Sequence, residues 1–439
     1  MKASRFIPEG SLIIKNEPLG VATFSHNRKN YCNYCLKSSE KLMKCGKCQV
    51  VYYCSQDCQK KDWGIHKKEC SVYTKIGQNS QKITNQFMLV LRCFLEYKEK
   101  QENYCQAIDD MISNTEKYPE DKIQFFEEMA LLLIKYLEID LKDGIEKLLQ
   151  FLKDFIARLL VNAFTIYNND NDTIAAAVYS VSNFINHSCE PNAIAIYKGK
   201  RQFIYALKDI QENEEINISY CNYIKPFYDR HNYLIENYFF ECQCKKCLKE
   251  QKGTSTTLIC QNCKKDKIYQ TDIEKFICQK CSKDFTPEEI KIIDQQINKL
   301  KKEMGTQNLE NRVKSWEKIR ELVDDESGHY HEVLEIISRM YVSEERYEEA
   351  YAADRVLLNK MKKWYMSNDP MIGWKYLELA KLASALTKYK KAKEYVAKGL
   401  KILDKYYLLE EMPDFKEMIL DIQNDFQYTL NHELLNERK

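Results

Sequence analysis

The sequence predicts an α+β protein of several domains in which zinc does part of the work of a hydrophobic core. Three observations carry that expectation. The 18 cysteines are bunched, seven between Cys32 and Cys70 and seven between Cys242 and Cys281. Runs of β-branched and aromatic residues are concentrated in the middle of the chain, from about Val161 to Tyr220. Only 12 glycines and 8 prolines occur in 439 residues, far below the average of about 12%, so long helices are expected elsewhere. At roughly 100–200 residues per domain, the length implies two to four domains. Lys plus Arg is 67 against 65 Asp plus Glu, a net charge of +2, too balanced for a wholesale nucleic-acid or membrane-surface binder. No run approaches the ~18 apolar residues of a membrane span. Met1 to Pro8 has no apolar stretch suited to a signal peptide. A soluble protein of a reducing intracellular compartment, cytoplasmic or nuclear, is expected, and clustered cysteines there mean metal rather than disulfides.

In chain order, the first element is the module Cys32-x2-Cys35, Cys45-x2-Cys48, Cys54-x3-Cys58 and His66-x3-Cys70. Each short spacing lets two ligands bend onto one tetrahedral zinc, and eight ligands close two sites with no open position, which makes them structural. So small a segment has little core, and metal binding worth about 10–16 kcal/mol per site would supply most of its folding energy. Residues 31–70 carry eight lysines against four acids, a formal +4. Seven thiolates on two zinc ions lower that to about +1, so an interaction or architectural role is expected rather than nucleic-acid binding.

Residues 72–160 contain only Gly77 and Gly144, and stretches such as Phe125-Phe126-x2-Met129-Ala130-x-Leu132-Leu133 have the spacing of amphipathic helices. Next come Val161 to Ile166, a polar knot from Asn183 to Asn192, and two strand-like runs, Ala193–Tyr197 and Arg201–Leu207, separated by Lys198-Gly199-Lys200. That arrangement is a hairpin signal. A further strand ends at Tyr220. Cys242-x-Cys244-x2-Cys247 then supplies three ligands and needs a fourth, for which Cys189, immediately after Asn186-His187-Ser188 in the polar knot, is the natural candidate. Cys260-x2-Cys263 and Cys278-x2-Cys281 have the spacing of a zinc ribbon, a fourth site. Cys93, Cys105 and Cys221 are left as packing residues. From Pro287 the pattern is helical, and Tyr347-x2-Ala350 recurs as Tyr389-x2-Ala392, consistent with tetratricopeptide-like helix pairs or a generic bundle. Asp404–Glu437 holds nine acids and two lysines. It reads either as a solvated face or as a region that steers a lysine-rich substrate towards the cleft.

These residues carry a resemblance. Tyr53-Cys54-Ser55-x2-Cys58-Gln59-Lys60 followed by Trp63-x2-His66-x3-Cys70 resembles a MYND zinc finger. Asn186-His187-Ser188-Cys189, with Ile218-Ser219-Tyr220 thirty residues on, resembles a SET domain, and the combination resembles the SET-and-MYND family of protein lysine methyltransferases. Singly, Asn-His reads equally well as a turn, Phe164 as core and Tyr220 as an ordinary strand tyrosine; their order beside the zinc ligands makes the pattern specific. The resemblance implies a SET-domain β-fold split by the finger. Residues 1–30 would be its N-terminal part, 31–71 the finger, 72–160 a helical insert and 161–222 the core SET domain. Residues 223–250 would be a post-SET zinc segment, 254–286 a ribbon-like insertion and 287–439 a tetratricopeptide-like lobe.

The resemblance also implies roles. In the finger, Cys32, Cys35, Cys54 and Cys58 would hold one ion and Cys45, Cys48, His66 and Cys70 the other. Cys189 would complete the 242–247 set. Asn186, His187, Asn162, Phe240 and Asn114 would contact S-adenosylmethionine, Phe164 and Tyr238 would line the lysine channel, and Tyr220 would stand at the point of methyl transfer. A protein substrate is implied, together with a proline-containing peptide at the finger. Met1-Lys2-Ala3 stands where the family's Gly-x-Gly loop should end. The alternative expectation is therefore a weakly active or inactive SET-fold scaffold that binds partners through the finger and the helical lobe.

Overall fold

The computed structural model describes residues 1–77, 82–99, 102–139, 144–168, 172–251, 254–272, 275–304, 309–406, 419–420 and 424. Most of the acidic stretch after Asp404, and with it the steering expectation, lies outside the described residues.

Strands β1 (Leu12–Asn16) and β2 (Pro18–Thr23) open the fold. A finger follows, with the short pair β3 (Met43–Lys44) and β4 (Tyr52–Tyr53) and then helix α1 (Gln56–Ile76). Ser55 starts α1 by accepting the Cys58 amide at 3.1 Å, the side-chain N-cap that leaves fewer amides orphaned. No proline interrupts Gln56–Ile76, and α1 tolerates Gly64 and runs on through residue 71, carrying the finger straight into the helices beyond. These are α2 (Asn85–Lys98), α3 (Glu102–Asp109), α4 (Glu120–Leu137) and α5 (Ile145–Val161).

The chain then returns to the sheets it left. Strands β5 (Phe164–Tyr167) and β6 (Thr173–Tyr179) join β2 in the order β2-β6-β5, with Val21 opposite Ala177 and Phe164 opposite Ala177 on the other side. After the two-residue strand β7 (Asn186–His187), the hairpin β8 (Ala193–Lys198) and β9 (Arg201–Ala206) adds β1 along its edge, giving β1-β9-β8. Strand β10 (Asn217–Ile218) pairs in parallel with β7. Residues 24–163 are therefore an insertion between β2 and β5, the two strands that flank β6 in one sheet.

Helices α6 (Phe227–Tyr238) and α7 (Lys245–Glu250) follow, then a four-stranded ribbon, β11 (Thr254–Ile259), β12 (Lys267–Asp272), β13 (Lys275–Cys278) and β14 (Asp284–Phe285), paired in sequence order. The described residues that follow are mainly helical: α8 (Pro287–Met304), α9 (Leu309–Arg320), α10 (Gly328–Ser343), α11 (Tyr347–Trp364), α12 (Pro370–Ala385) and α13 (Tyr389–Leu403). The repeated Tyr-x2-Ala opens the second helix of each hairpin, α10–α11 and α12–α13. The architecture is α+β and multidomain, with a zinc-finger module and a helical C-terminal lobe.

Two close approaches hold the parts together. The largest core cluster runs from the finger through α2, α4 and α5 to β2 and β6. Gly20 is required there, since a Cβ at this position would lie 2.4 Å from the Cys93 sulfur on α2. In the lobe, a Cβ on Gly399 would lie 2.9 Å from Leu377, so α12 and α13 pack almost backbone to backbone.

Candidate active site and metal centres

The parallel pairing of β7 with β10 brings Asn186 opposite Asn217 and His187 opposite Ile218. Asn192 clamps this arrangement: its amide group donates to the Glu215 carbonyl at 2.8 Å and accepts from the Asn217 amide at 2.8 Å. Tyr220, just past β10, donates its backbone N–H to His187 Nδ1 at 2.9 Å. An N–H can only donate, so Nδ1 is an acceptor and the neutral ring carries its proton on Nε2. That Nε2 lies 3.2 Å from the Cys189 sulfur. The Tyr220 hydroxyl donates to the Ile185 carbonyl at 2.5 Å. Burial pushes its phenol up to about 12, so it stays protonated at neutral pH.

Aromatic rings frame this hydroxyl. Tyr238 stands 4.8 Å from Tyr220 between ring centroids, and Phe240 stands 6.4 Å away at 87°. Phe240 is also 6.0 Å from His187. The placement of Phe240 follows from how α6 ends. Phe239 takes a left-handed conformation (φ 62°) and donates its N–H to the Ile235 carbonyl at 3.1 Å. A conformation costing a non-glycine residue about 1 kcal/mol turns the chain so that Phe239 packs on Tyr118, 4.6 Å away, while Phe240 faces His187. Phe164 sits edge-on to Tyr179 at 5.7 Å. Asn162 ends α5 by donating to the Arg158 carbonyl at 2.7 Å and to the Ile112 carbonyl at 2.9 Å, which ties the 112–114 loop to α5. Asn114, at φ 52°, accepts from Lys117.

All of these candidates, Asn114, Asn162, Phe164, Asn186, His187, Tyr220, Tyr238 and Phe240, line one cavity of about 1390 Å³. Its far wall comes from the helical lobe, including Trp374, Lys375 and Glu378. Asn183 also lines it, and the Asn183 Oδ1 atom is buried without a hydrogen-bond partner.

Among the sets whose donor atoms all lie within 4.8 Å of one another are four with four ligands each: Cys32, Cys35, Cys54 and Cys58; Cys45, Cys48, His66 and Cys70; Cys189, Cys242, Cys244 and Cys247; and Cys260, Cys263, Cys278 and Cys281. Sulfur–sulfur separations of 3.6 Å (Cys35–Cys54), 3.9 Å (Cys45–Cys70), 3.5 Å (Cys189–Cys247) and 3.7 Å (Cys260–Cys281) recur. Zinc–sulfur bonds of about 2.3 Å give a tetrahedron with edges of about 3.8 Å, whereas a disulfide requires about 2.05 Å. The donor sets therefore fit zinc. At the His66 site the ring Nδ1 faces Glu69 at 3.3 Å, and Arg92 on α2 grips that carboxylate with bonds of 2.7 and 2.8 Å. Burial raises the Glu69 carboxyl, but Arg92 outweighs it and brings it to about 2.

A family model of the MYND finger matches residues 32–70. The chain is 29% identical over 255 residues to N-lysine methyltransferase SMYD2-B of Xenopus laevis, covering 57% of this chain and 59% of that one. It is 28% identical over 248 residues to histone-lysine N-methyltransferase SMYD3 of Mus musculus, covering 55% and 57%. To histone-lysine N-methyltransferase ASHR1 of Arabidopsis thaliana it is 24% identical over 424 residues, covering 90% and 86%. The chain carries a MYND finger and is similar to lysine methyltransferases of the SET-and-MYND family.

The matches to the first two of these family members span less than two thirds of those relatives' own length. Among the described residues, no helix is long and apolar enough to cross a membrane. Several residues at the site had no signal in the sequence. Glu215 accepts from Asn186 at 2.7 Å. Cys221, expected as packing, lies with His187 and Cys189 within 4.8 Å. Arg92 and Arg230 are charged helix residues, normally exposed, and nothing in their spacing marks them as buried.

Proposed function

We propose that the chain is an S-adenosylmethionine-dependent protein-lysine N-methyltransferase acting on histone or non-histone protein lysines. The observation that supports it most is the meeting of Asn186, His187, Tyr220, Tyr238 and Phe240 at one cavity. Asn114, Asn162, Asn186 and His187 would hold the cofactor's amino-acid and adenine ends, with Phe240 over the adenine. The unpartnered Asn183 Oδ1 is an acceptor suited to a cationic amino group. When bound, S-adenosylmethionine supplies an electrophilic methyl group on a sulfonium centre.

The rest is the work of the chain's own residues. A free lysine has a pKa of about 10.4, so a neutral amine near pH 7 means overcoming roughly 4–5 kcal/mol. Phe164, Tyr220 and Tyr238 exclude water from the ammonium and lower that pKa by desolvation. The Tyr220 hydroxyl commits its proton to Ile185 and leaves its oxygen lone pairs to orient the amine N–H groups. As a phenol that stays neutral, it positions rather than removes the proton, which passes to water. The aligned side chains hold amine and methyl in a reactive geometry. Four structural zinc ions complete the reading: two in the finger, one joining Cys189 to the 242–247 segment that carries the chain out of Phe240, and one in the ribbon. The finger would take a proline-containing peptide.

Labelled methyl transfer onto a peptide array tests the proposal. The full chain should label lysine peptides, and Tyr220→Phe, which loses a positioning group, should label them up to about 100-fold more slowly. A parent chain that labels no lysine on peptides or folded proteins refutes the activity, and a variant equal to an active parent removes Tyr220 from it.

A further inference from the structure

The Cys189, Cys242, Cys244 and Cys247 site has a buried cation directly against its sulfurs. Arg230, on α6, is 1% exposed. Its Nε donates to the Cys189 sulfur at 3.3 Å, and its Nη2 donates to the Cys247 sulfur at 3.8 Å and to Glu250 at 2.6 Å. Its Nη1 donates to the Lys225 carbonyl. At the finger's His66 site the neighbouring arginine, Arg92, acts instead through the Glu69 carboxylate.

Taking a guanidinium out of water costs several kcal/mol unless charge and hydrogen bonds compensate it. Thiols are weak acceptors and carry no charge. Four thiolates on a divalent ion carry −2 and present full acceptors where the guanidinium points. The planar fork of an arginine presents separate N–H donors to two sulfurs in a fixed geometry, whereas a lysine ammonium is a compact point charge on a flexible stem.

We infer that Arg230 is a positioning residue of the Cys189–Cys242–Cys244–Cys247 metal centre, offsetting its thiolate charge and holding Cys189 and Cys247 through its guanidinium fork. The inference rests on the zinc reading of that site. Its reach extends to the cavity: Cys189 receives the His187 Nε2 contact, and His187 receives the Tyr220 amide. Arg230 thus supports the His187–Tyr220 pair from behind the metal.

The test uses the full chain with Arg230→Met and Arg230→Lys, and reads zinc release to a coloured chelator, mass-spectrometric mapping of alkylated cysteines, and the spectrum of the cobalt-substituted protein. The Met variant should lose one ion about 10–100-fold faster than the parent, with Cys189 and Cys247 among the first thiols alkylated. Its sulfur-to-cobalt charge-transfer absorption should move to lower energy as donors to the thiolates are removed. Arg230→Lys, which keeps the charge without the fork, should recover part of the retention. An arginine that merely fills space would let the Met variant release its ions at parental rates with unmoved cobalt bands, and that result overturns the proposal. Should the Met variant not accumulate, Glu250→Gln decides: loosening the guanidinium should speed loss of the same ion, and parental loss overturns the proposal. Rapid alkylation of Cys189 in the untreated parent would sink the metal reading and this proposal with it, whereas parental release rates in the variants sink this proposal alone.

Discussion

Arg92→Met is the most searching perturbation of the join between finger and helical segment. Arg92 is 8% exposed and faces two carboxylates, Glu69 (1%) and Asp62 (2%), both on α1. It makes bonds of 2.7 and 2.8 Å to Glu69 and one of 3.3 Å to Asp62. Asp62 keeps two other donors, Asn33 at 2.9 Å and Tyr53 at 2.8 Å. Among the described residues, Glu69 keeps only the His66 ring at 3.3 Å. Removing the guanidinium therefore leaves chiefly one buried carboxylate uncompensated. Breaking a buried ion pair from one side costs about 3–5 kcal/mol, and that is the expected destabilisation. The assay is urea denaturation followed by zinc release from the finger, comparing Arg92→Met with the double variant Arg92→Met/Glu69→Gln. Neutralising the stranded carboxylate should recover roughly half of the loss. A single variant within about 1 kcal/mol of the parent would show that the network does not fasten the finger to α2, and the reasoning would fail.

Three further outcomes are expected. Burial pushes the Asp369 carboxyl up to about 6, against the hydrogen bond donated by Tyr223, which lowers it. The folded state then binds the proton more tightly than the unfolded one, so stability falls as pH rises from about 4 through 6. Asp369→Asn, which keeps the cap on α12, should raise the melting temperature at pH 8 and have a clearly smaller effect at pH 4.5; an effect independent of pH contradicts this. Gly20→Ala should destabilise by about 1–3 kcal/mol through its collision with Cys93, and Cys93→Ala should relieve it; strict additivity in the double-variant cycle would refute the contact. Metal analysis should find four zinc ions per chain, one for each donor set, and Cys263→Ser should remove one while leaving the finger's two; parental content in the variant would rule the ribbon site out.

What could be read in advance follows the range of each interaction along the chain. Cysteine pairs two or three residues apart declare themselves, since each closes its own chelate, and the hairpin around Lys198-Gly199-Lys200 declares itself through its turn. The helix starting at Pro287 and the paired openings at Tyr347 and Tyr389 are local patterns too. Long-range features are silent. Nothing between Thr23 and Thr173 says that β2 and β6 are neighbours, and the resemblance alone suggested that the finger interrupts a sheet. The join of Cys189 to Cys242, Cys244 and Cys247 was legible because three ligands demand a fourth and the resemblance assigns that place to Cys189. Arg92 and Arg230 were not, because burial of a charge depends on partners that only the fold supplies.

The central claim is that Asn186, His187, Tyr220 and Phe240 form one cofactor-binding and methyl-transfer site. Isothermal titration of the full chain with S-adenosylmethionine tests it most directly. One site per chain, weakened at least about tenfold by Asn186→Ala, which removes the side chain held to Glu215, is the expected result. No heat of binding to the zinc-loaded parent would contradict it.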